Sequence, residues 1–199
     1  MCDSPLRLEE IRNAMLDRLI GREIQLLETT RSTNDAILDR ITRETATGLV
    51  VFAETQTAGR GQRGNVWESA ARKGLWFSVL LRPQIPLTDS IQLTSWAAGC
   101  VCQTLFQFGI EAIMKAPNDI LVGDRKIAGV LIEMRAQPRA PHIAIIGIGV
   151  NVNHSPQDFS RAIRDRATSF AIIRGCPIDR TAVAISLLRG LDDAYRRYA

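Results

Sequence analysis

The chain contains no run of about 18 apolar residues, the length a membrane-spanning helix needs, and charged side chains are spread through its first 20 residues. Neither a membrane span nor a secretory leader is expected, and the reading is a soluble, cytoplasmic protein. Histidine is scarce, with only His142 and His154 present. A His-based metal centre or a Cys/His nucleophile pair is therefore poorly supplied. The four cysteines, Cys2, Cys100, Cys102 and Cys176, have no CxxC spacing and read as free thiols, Cys100 and Cys102 within a buried helix. Basic residues form no tract and the net charge is only +4, which argues against a nucleic-acid surface. Internal repeats and low-complexity segments are also missing. The expected chemistry is one that needs no covalent enzyme intermediate.

What is present is enough apolar material for one sizeable core: 46% of 199 residues are hydrophobic, and the expectation is a single domain over residues 1–199. Ser4-Pro5, an apolar stripe from Leu6 to Leu19 and Gly21 predict a capped leading helix within residues 1–21. Strands are predicted at 23–28, 49–54, 75–81 and 143–152, with a hairpin of 120–122 and 127–133 around Gly123-Asp124. Helices are predicted after Ser32-Thr33-Asn34, over 89–108 and over 181–198. Pro117 should end the strand Ile113–Lys115, and Pro138 to Pro141 should form a turn. The order predicts an α+β fold, a mixed, largely antiparallel sheet backed by helices.

Three segments could carry chemistry. Gly59-Arg60-Gly61-Gln62-Arg63-Gly64-Asn65-Val66-Trp67 combines glycines that free backbone N–H groups for an anion, two guanidinium forks and a flat ring. A mobile surface loop accounts for the same composition. Lys115-Ala116-Pro117-Asn118-Asp119 and Lys126-Ile127-Ala128-Gly129 bring two lysines to one hairpin, able to neutralise a carboxylate and a phosphate or simply to be solvated. Gly147-Ile148-Gly149-Val150-Asn151 is a strand short of side chains, which suits a ligand against the backbone, a bulge or tight packing equally well.

With Ser32-Thr33-Asn34 and Gln56-Thr57-Ala58 added, these motifs occur in the order and approximate spacing of biotin protein ligases, and from about Glu23 onward the chain resembles that family's class II synthetase-like catalytic domain. The resemblance implies activation of biotin with ATP and Mg²⁺ to the adenylate, then transfer to a lysine of a biotin carboxyl carrier domain. It implies that Ser32, Thr33 and Gln56 read the ureido head, with Asn34 supporting the turn. Gly59, Arg60, Gly61, Gln62, Lys126, Gly129, Gly147 and Gly149 complete the biotin side. Arg60, Arg63, Trp67, Lys115, Asn118 and Asn151 face the nucleotide. Lys115, Lys126 and Arg60 carry the catalysis, with Asp119 orienting a lysine or Mg²⁺.

Two positions depart from the family pattern: Ala116 replaces a large ring, and Gln62 replaces an arginine, weakening the charge on the lid. The chain is also too short for the N-terminal DNA-binding domain and the C-terminal β domain of many relatives, so no DNA partner is expected. An exposed sheet edge offers pairing to the carrier or to a second copy. The alternatives are a lipoate or octanoate ligase or transferase, and a non-catalytic sensor of biotin or biotinyl-AMP.

Overall fold

A computed structural model of the protein describes residues 4–42, 44–138 and 141–196. Cys2, Arg139 and Ala140 of the predicted turn, and Tyr198 of the predicted last helix lie outside the described residues. The strands are β1 (Glu23–Thr30), β2 (Leu49–Gln56), β3 (Gly74–Leu81), β4 (Ile113–Lys115), β5 (Asp119–Val122), β6 (Arg125–Arg135) and β7 (Ile143–Asn151). They form one seven-stranded sheet in the order β1-β2-β3-β7-β6-β5-β4. β1 and β2 are parallel, and every other pairing is antiparallel. The mixed, largely antiparallel sheet expected from the sequence is present.

Among the described residues five α-helices accompany it: α1 (Leu8–Ala14), α2 (Thr33–Leu38), α3 (Ser90–Gln107), α4 (Phe170–Arg174) and α5 (Arg180–Tyr195). Successive strand residues point to opposite faces, which divides the apolar side chains into two sets. Val50, Phe52, Phe77 and Val79 pack with Leu93, Val101 and Leu105 of α3 and Val183, Leu187 and Leu191 of α5 in the larger core. Leu49, Val51, Leu80, Ile143 and Ile145 face the other way, against Ala36 and Ile37 of the short α2. β3 is buried along its whole length because both of its faces are covered.

The small helix α2 covers only part of the second face. The period of two places Ser78 beside Leu80 on that face, and Gly147 and Gly149 beside Ile145. The β6–β7 register adds Gly129, Leu131 and Glu133. One side of the sheet thus gathers small and polar residues beyond the edge of α2, where packing by a helix stops.

The leading segment differs from expectation. Helix α1 begins only at Leu8, its N-cap position is Arg7, and no side chain caps it. Ser4 and Pro5 are not the cap because tertiary bonds hold the chain there. Leu6 N donates to Glu54 Oε1 at 2.7 Å, Arg180 Nη2 donates to Ser4 O at 2.7 Å, and Arg7 N donates to Thr181 Oγ1 at 3.1 Å. Helix α4 was not anticipated, although its signals stand in the sequence: Ser169 Oγ accepts from Ile172 N, and Gly175 closes it at φ +71°.

Candidate active site

The first chamber opens at the start of α2, where β1 ends. Ser32 is the extended N-cap residue, and its Oγ accepts from Asn34 N at 3.3 Å. That leaves the Ser32 hydroxyl proton for a ligand. Thr33 N donates to Gln56 Oε1 at 2.8 Å, which joins the helix start to the end of β2. Ser78 Oγ, fully buried on β3, lies 2.7 Å from Thr33 Oγ1 and 2.5 Å from Asn34 Oδ1. Asn34 Nδ2 donates to Glu133 Oε2 at 2.8 Å, which fixes Oδ1 as the atom facing Ser78. An amide oxygen only accepts, so Ser78 is the donor to Asn34 Oδ1 and to Thr33 Oγ1, whose own proton goes to Gln56 Oε1 at 3.2 Å. Thr33 therefore turns lone pairs toward the chamber while Ser32 offers an O–H.

The glycines of β6 and β7 have definite occupants. A Cβ on Gly147 would lie 2.5 Å from Asn34 Oδ1, and one on Gly149 would lie 2.5 Å from Trp67 Cε2. At Gly129 the added atom would meet Trp67 Cζ3 at 2.9 Å. The Trp67 indole lies against the bared backbone of this strand, with Lys126 Nζ 5.2 Å from its ring centroid. With the ring there, the first chamber measures about 40 Å³, room for roughly three water positions. A bicyclic ligand enters only if the 57–67 segment shifts.

Arg60 is fastened across the mouth. Its Nη1 donates to Asp35 Oδ2 at 2.7 Å and its Nη2 to Glu133 Oε1 at 3.2 Å. The bond to Asp35 raises the Arg60 pKa and, in return, holds the Asp35 carboxyl below its usual range. The lid is further shaped by an Arg60–Val66 bridge and a Gly61 N to Asn65 O bond of 2.7 Å. Gly59 has no room for a side chain, since a Cβ would stand 2.5 Å from Trp67 O.

The second chamber, about 410 Å³, is lined by Lys115, Asp119, Lys126, Asn151, Trp67 and the segment from Phe159 to Ala167. Lys126 Nζ pairs with Asp119 Oδ1 at 2.5 Å, and both side chains stay about a third exposed, so the bond steers the lysine more than it stabilises the fold. The Lys126 backbone is held by a bridge to Ala167 and by Thr168 N, which donates to Lys126 O at 2.9 Å. Asn151 Nδ2 donates to Thr168 O at 3.0 Å. Trp67 and Lys126 are the residues that line both chambers.

The first chamber gathers Ser32, Thr33, Asn34, Gln56, Arg60, Gly61, Lys126, Gly129, Gly147 and Gly149. Asn118, expected with the nucleotide, also lines this chamber, where its Nδ2 donates to Val130 O at 3.0 Å. Lys115, Asn151 and Asp119 stand in the second chamber, and Gln62 and Arg63 line neither. Sequence reasoning missed Ser78, Asp35, Glu133 and the 159–167 segment. For Ser78 and Glu133 the signal was a polar residue at an inward position of an apolar strand.

Fold and site together define an α+β domain with a two-chambered candidate site. A family model described as the biotin/lipoate A/B protein ligase family matches residues 26–151, and the chain belongs to that family. The bifunctional ligase/repressor BirA of Bacillus subtilis (strain 168) is 38% identical over 190 residues, which are 95% of this chain and 58% of that protein. A biotin–[acetyl-CoA-carboxylase] ligase of Mycobacterium tuberculosis is 33% identical, covering 90% of this chain and 68% of its own length. The biotin protein ligase from Aquifex aeolicus in complex with biotin and ATP superposes with a TM-score of 0.76 at 30% identity, over 89% of this chain and 72% of that one. The chain therefore spans under three fifths of the B. subtilis protein it matches.

Proposed function

We propose that this domain is a biotin–protein ligase, joining biotin to AMP at the expense of ATP and passing the biotinyl group to a lysine of a carboxyl carrier domain. One observation carries the reading: Lys126, pinned by Asp119, stands with Trp67 at the junction of a hydroxyl-lined chamber and a wider one that also holds Lys115. A cyclic urea presents a C=O and N–H groups, which match the Ser32 hydroxyl as donor and Thr33 Oγ1 as acceptor. A dithiolane ring offers neither. The relatives named as biotin ligases support the same choice.

In this reading the ureido head docks at Ser32 and Thr33, and the carboxylate reaches Lys126. One carboxylate oxygen attacks the α-phosphorus of ATP and pyrophosphate departs with the broken bond's electrons. The enzyme supplies no nucleophile. Holding the two reactants in line and neutralising charge with Lys115 and Lys126 lowers the barrier by several kcal/mol. The acceptor lysine, as a free amine, then attacks the acyl carbon and AMP leaves.

The carboxylates here do not form a metal cage: Asp119 is engaged by Lys126, and among the described residues no three His, Cys, Asp or Glu side chains are grouped for a metal. Mg²⁺ belongs to the reaction as the companion of the ATP phosphates, and no step is assigned to it. No helix among the described residues is long and apolar enough to cross a membrane. We take the enzyme to act in the cytoplasm on a carrier protein. The edge strands β1 and β4 are where a carrier, or a second copy, could add a strand.

The test is ATP/pyrophosphate exchange with and without biotin, followed by labelling of an acceptor domain with biotin, lipoate or octanoate. Biotin-dependent exchange and biotin-only labelling are expected. Labelling by lipoate alone would reassign the substrate, and biotin binding without exchange would make the protein a sensor.

A further inference from the structure

A single line of polar contacts runs from the head of the first chamber to its lid. It passes from Thr33 to Ser78 at 2.7 Å, to Asn34 at 2.5 Å, and on to Glu133 at 2.8 Å. From Glu133 it reaches Arg60 at 3.2 Å and ends at Asp35, 2.7 Å from the guanidinium. Every member except Asp35, Glu133 and Arg60 is buried, and those three meet at the mouth.

Packing does not explain a carboxylate at position 133. Its register partner on β7 is Ile145, and Leu131 and Gly129 precede it on the same face of β6. What the position does provide is two simultaneous acceptor bonds, one to a side chain that touches the hydroxyl network and one to the lid. Asp35 also holds Arg60, but among the described residues its carboxylate does not bond on to Ser78 or Thr33. Glu133 is thus the link between the floor and the lid.

We propose that Glu133 is a positioning residue that couples occupancy of the head-group subsite to closure of the 57–67 lid, by holding the Asn34 amide and the Arg60 guanidinium at once. The proposal rests on the biotin reading of the first chamber. A ligand N–H that binds Thr33 competes with Ser78 for its lone pairs and turns the Ser78 proton onto Asn34 Oδ1, which polarises the amide and strengthens its bond to Glu133, and Glu133 in turn keeps Arg60 in place. Arg60 then serves as the fastener of the lid, and the acid group of the ligand falls to Lys126. A surface ion pair with no such role would leave ligand affinity untouched when broken.

Trypsin cleaves after arginine, so nicking at Arg60 and Arg63 in the full chain reports lid closure directly. Biotin should slow that nicking in the natural protein. Glu133→Gln keeps an acceptor for Asn34 and removes the charge that holds Arg60. The protection by biotin should disappear, and the KM for biotin in pyrophosphate exchange should rise about tenfold, with kcat changed far less. Arg60→Gln breaks the same link from the other end and, read by nicking at Arg63 alone, should lose protection too, which serves if the first variant does not fold. Biotin protecting Glu133→Gln and Arg60→Gln as well as the natural chain, with KM unchanged, overturns the coupling and leaves the biotin reading intact. A natural chain that neither binds biotin by calorimetry nor gains protection from it overturns both.

Discussion

The guanidinium of Arg180 meets the carboxylate of Glu54 at 2.8 Å, with the two side chains only 4% and 1% exposed. Arg180 also donates to Gly74 O at 2.9 Å, and Glu54 accepts from Leu6 N, so the pair ties α5, β2, β3 and the leading segment together. Removing one partner strands a buried charge. Arg180→Ala is expected to cost about 3–5 kcal/mol, whereas replacing both residues with apolar ones should cost much less. Urea unfolding midpoints of the two variants check this, and equal losses would show that burial of the charge is not what matters.

His154 is buried with its Nδ1 unpartnered, its ring stacked on Phe159 at 4.9 Å and edge-on to Trp76 at 5.7 Å. Burial lowers its pKa to about 4 from 6.5. The unfolded chain therefore takes up a proton first as pH falls. The stability this group contributes is complete above about pH 6.5 and drains away as pH drops toward 4, by roughly 3 kcal/mol at most. Unfolding free energies measured between pH 7 and pH 4.5 should fall in the natural protein and stay flatter in His154→Gln. A parallel slope in both would assign the loss to other groups.

The close approach of Trp67 to the β7 backbone makes Gly149 intolerant. In Gly149→Ala the new methyl would stand 2.5 Å from the indole, and β7 is a central strand that cannot yield, so the ring must leave. A cost of about 1–3 kcal/mol and a red-shifted Trp67 emission are expected. Gly99→Ala is the control: it lies mid-helix on the exposed face of α3 with nothing within 4 Å, and should stabilise by about 0.5–1 kcal/mol. Unchanged fluorescence in Gly149→Ala would mean that the ring does not occupy that floor in solution.

Lys126 stands on surface shared by both chambers, and its side chain contributes little to the fold. Lys126→Ala should retain the natural unfolding midpoint while biotin-dependent pyrophosphate exchange falls on the order of a hundredfold or more. Near-normal exchange would remove Lys126 from the chemistry.

Much of this was legible from the residues. The Gly123-Asp124 turn, the apolar strand at 143–151 and the α3 helix follow from local pattern, and each formed where the pattern put it. The leading segment did not, because Ser4 and Leu6 answer to Glu54 and Arg180, far off in the chain. Ser32, Thr33 and Gln56 were recognisable as a group, and the structure joins Thr33 to Gln56 by two bonds between α2 and β2, with Ser32 capping the same helix. Glu133 and Ser78 stayed hidden for the opposite reason. A lone polar residue in an apolar strand gains a meaning only when strand register shows which face it shares and with whom.

The parallel pairing of β1 with β2 reaches further than its place at the sheet's edge suggests. A connection between parallel neighbours is right-handed almost without exception, and here the connection is α2 itself. Chain chirality thus decides which side of the sheet receives Ser32, Thr33 and Asn34, and the Thr30–Gln56 register brings Gln56 level with them. With the opposite hand, the same three polar side chains would be delivered beneath α3 and α5, into an apolar interior with neither solvent nor ligand to meet them.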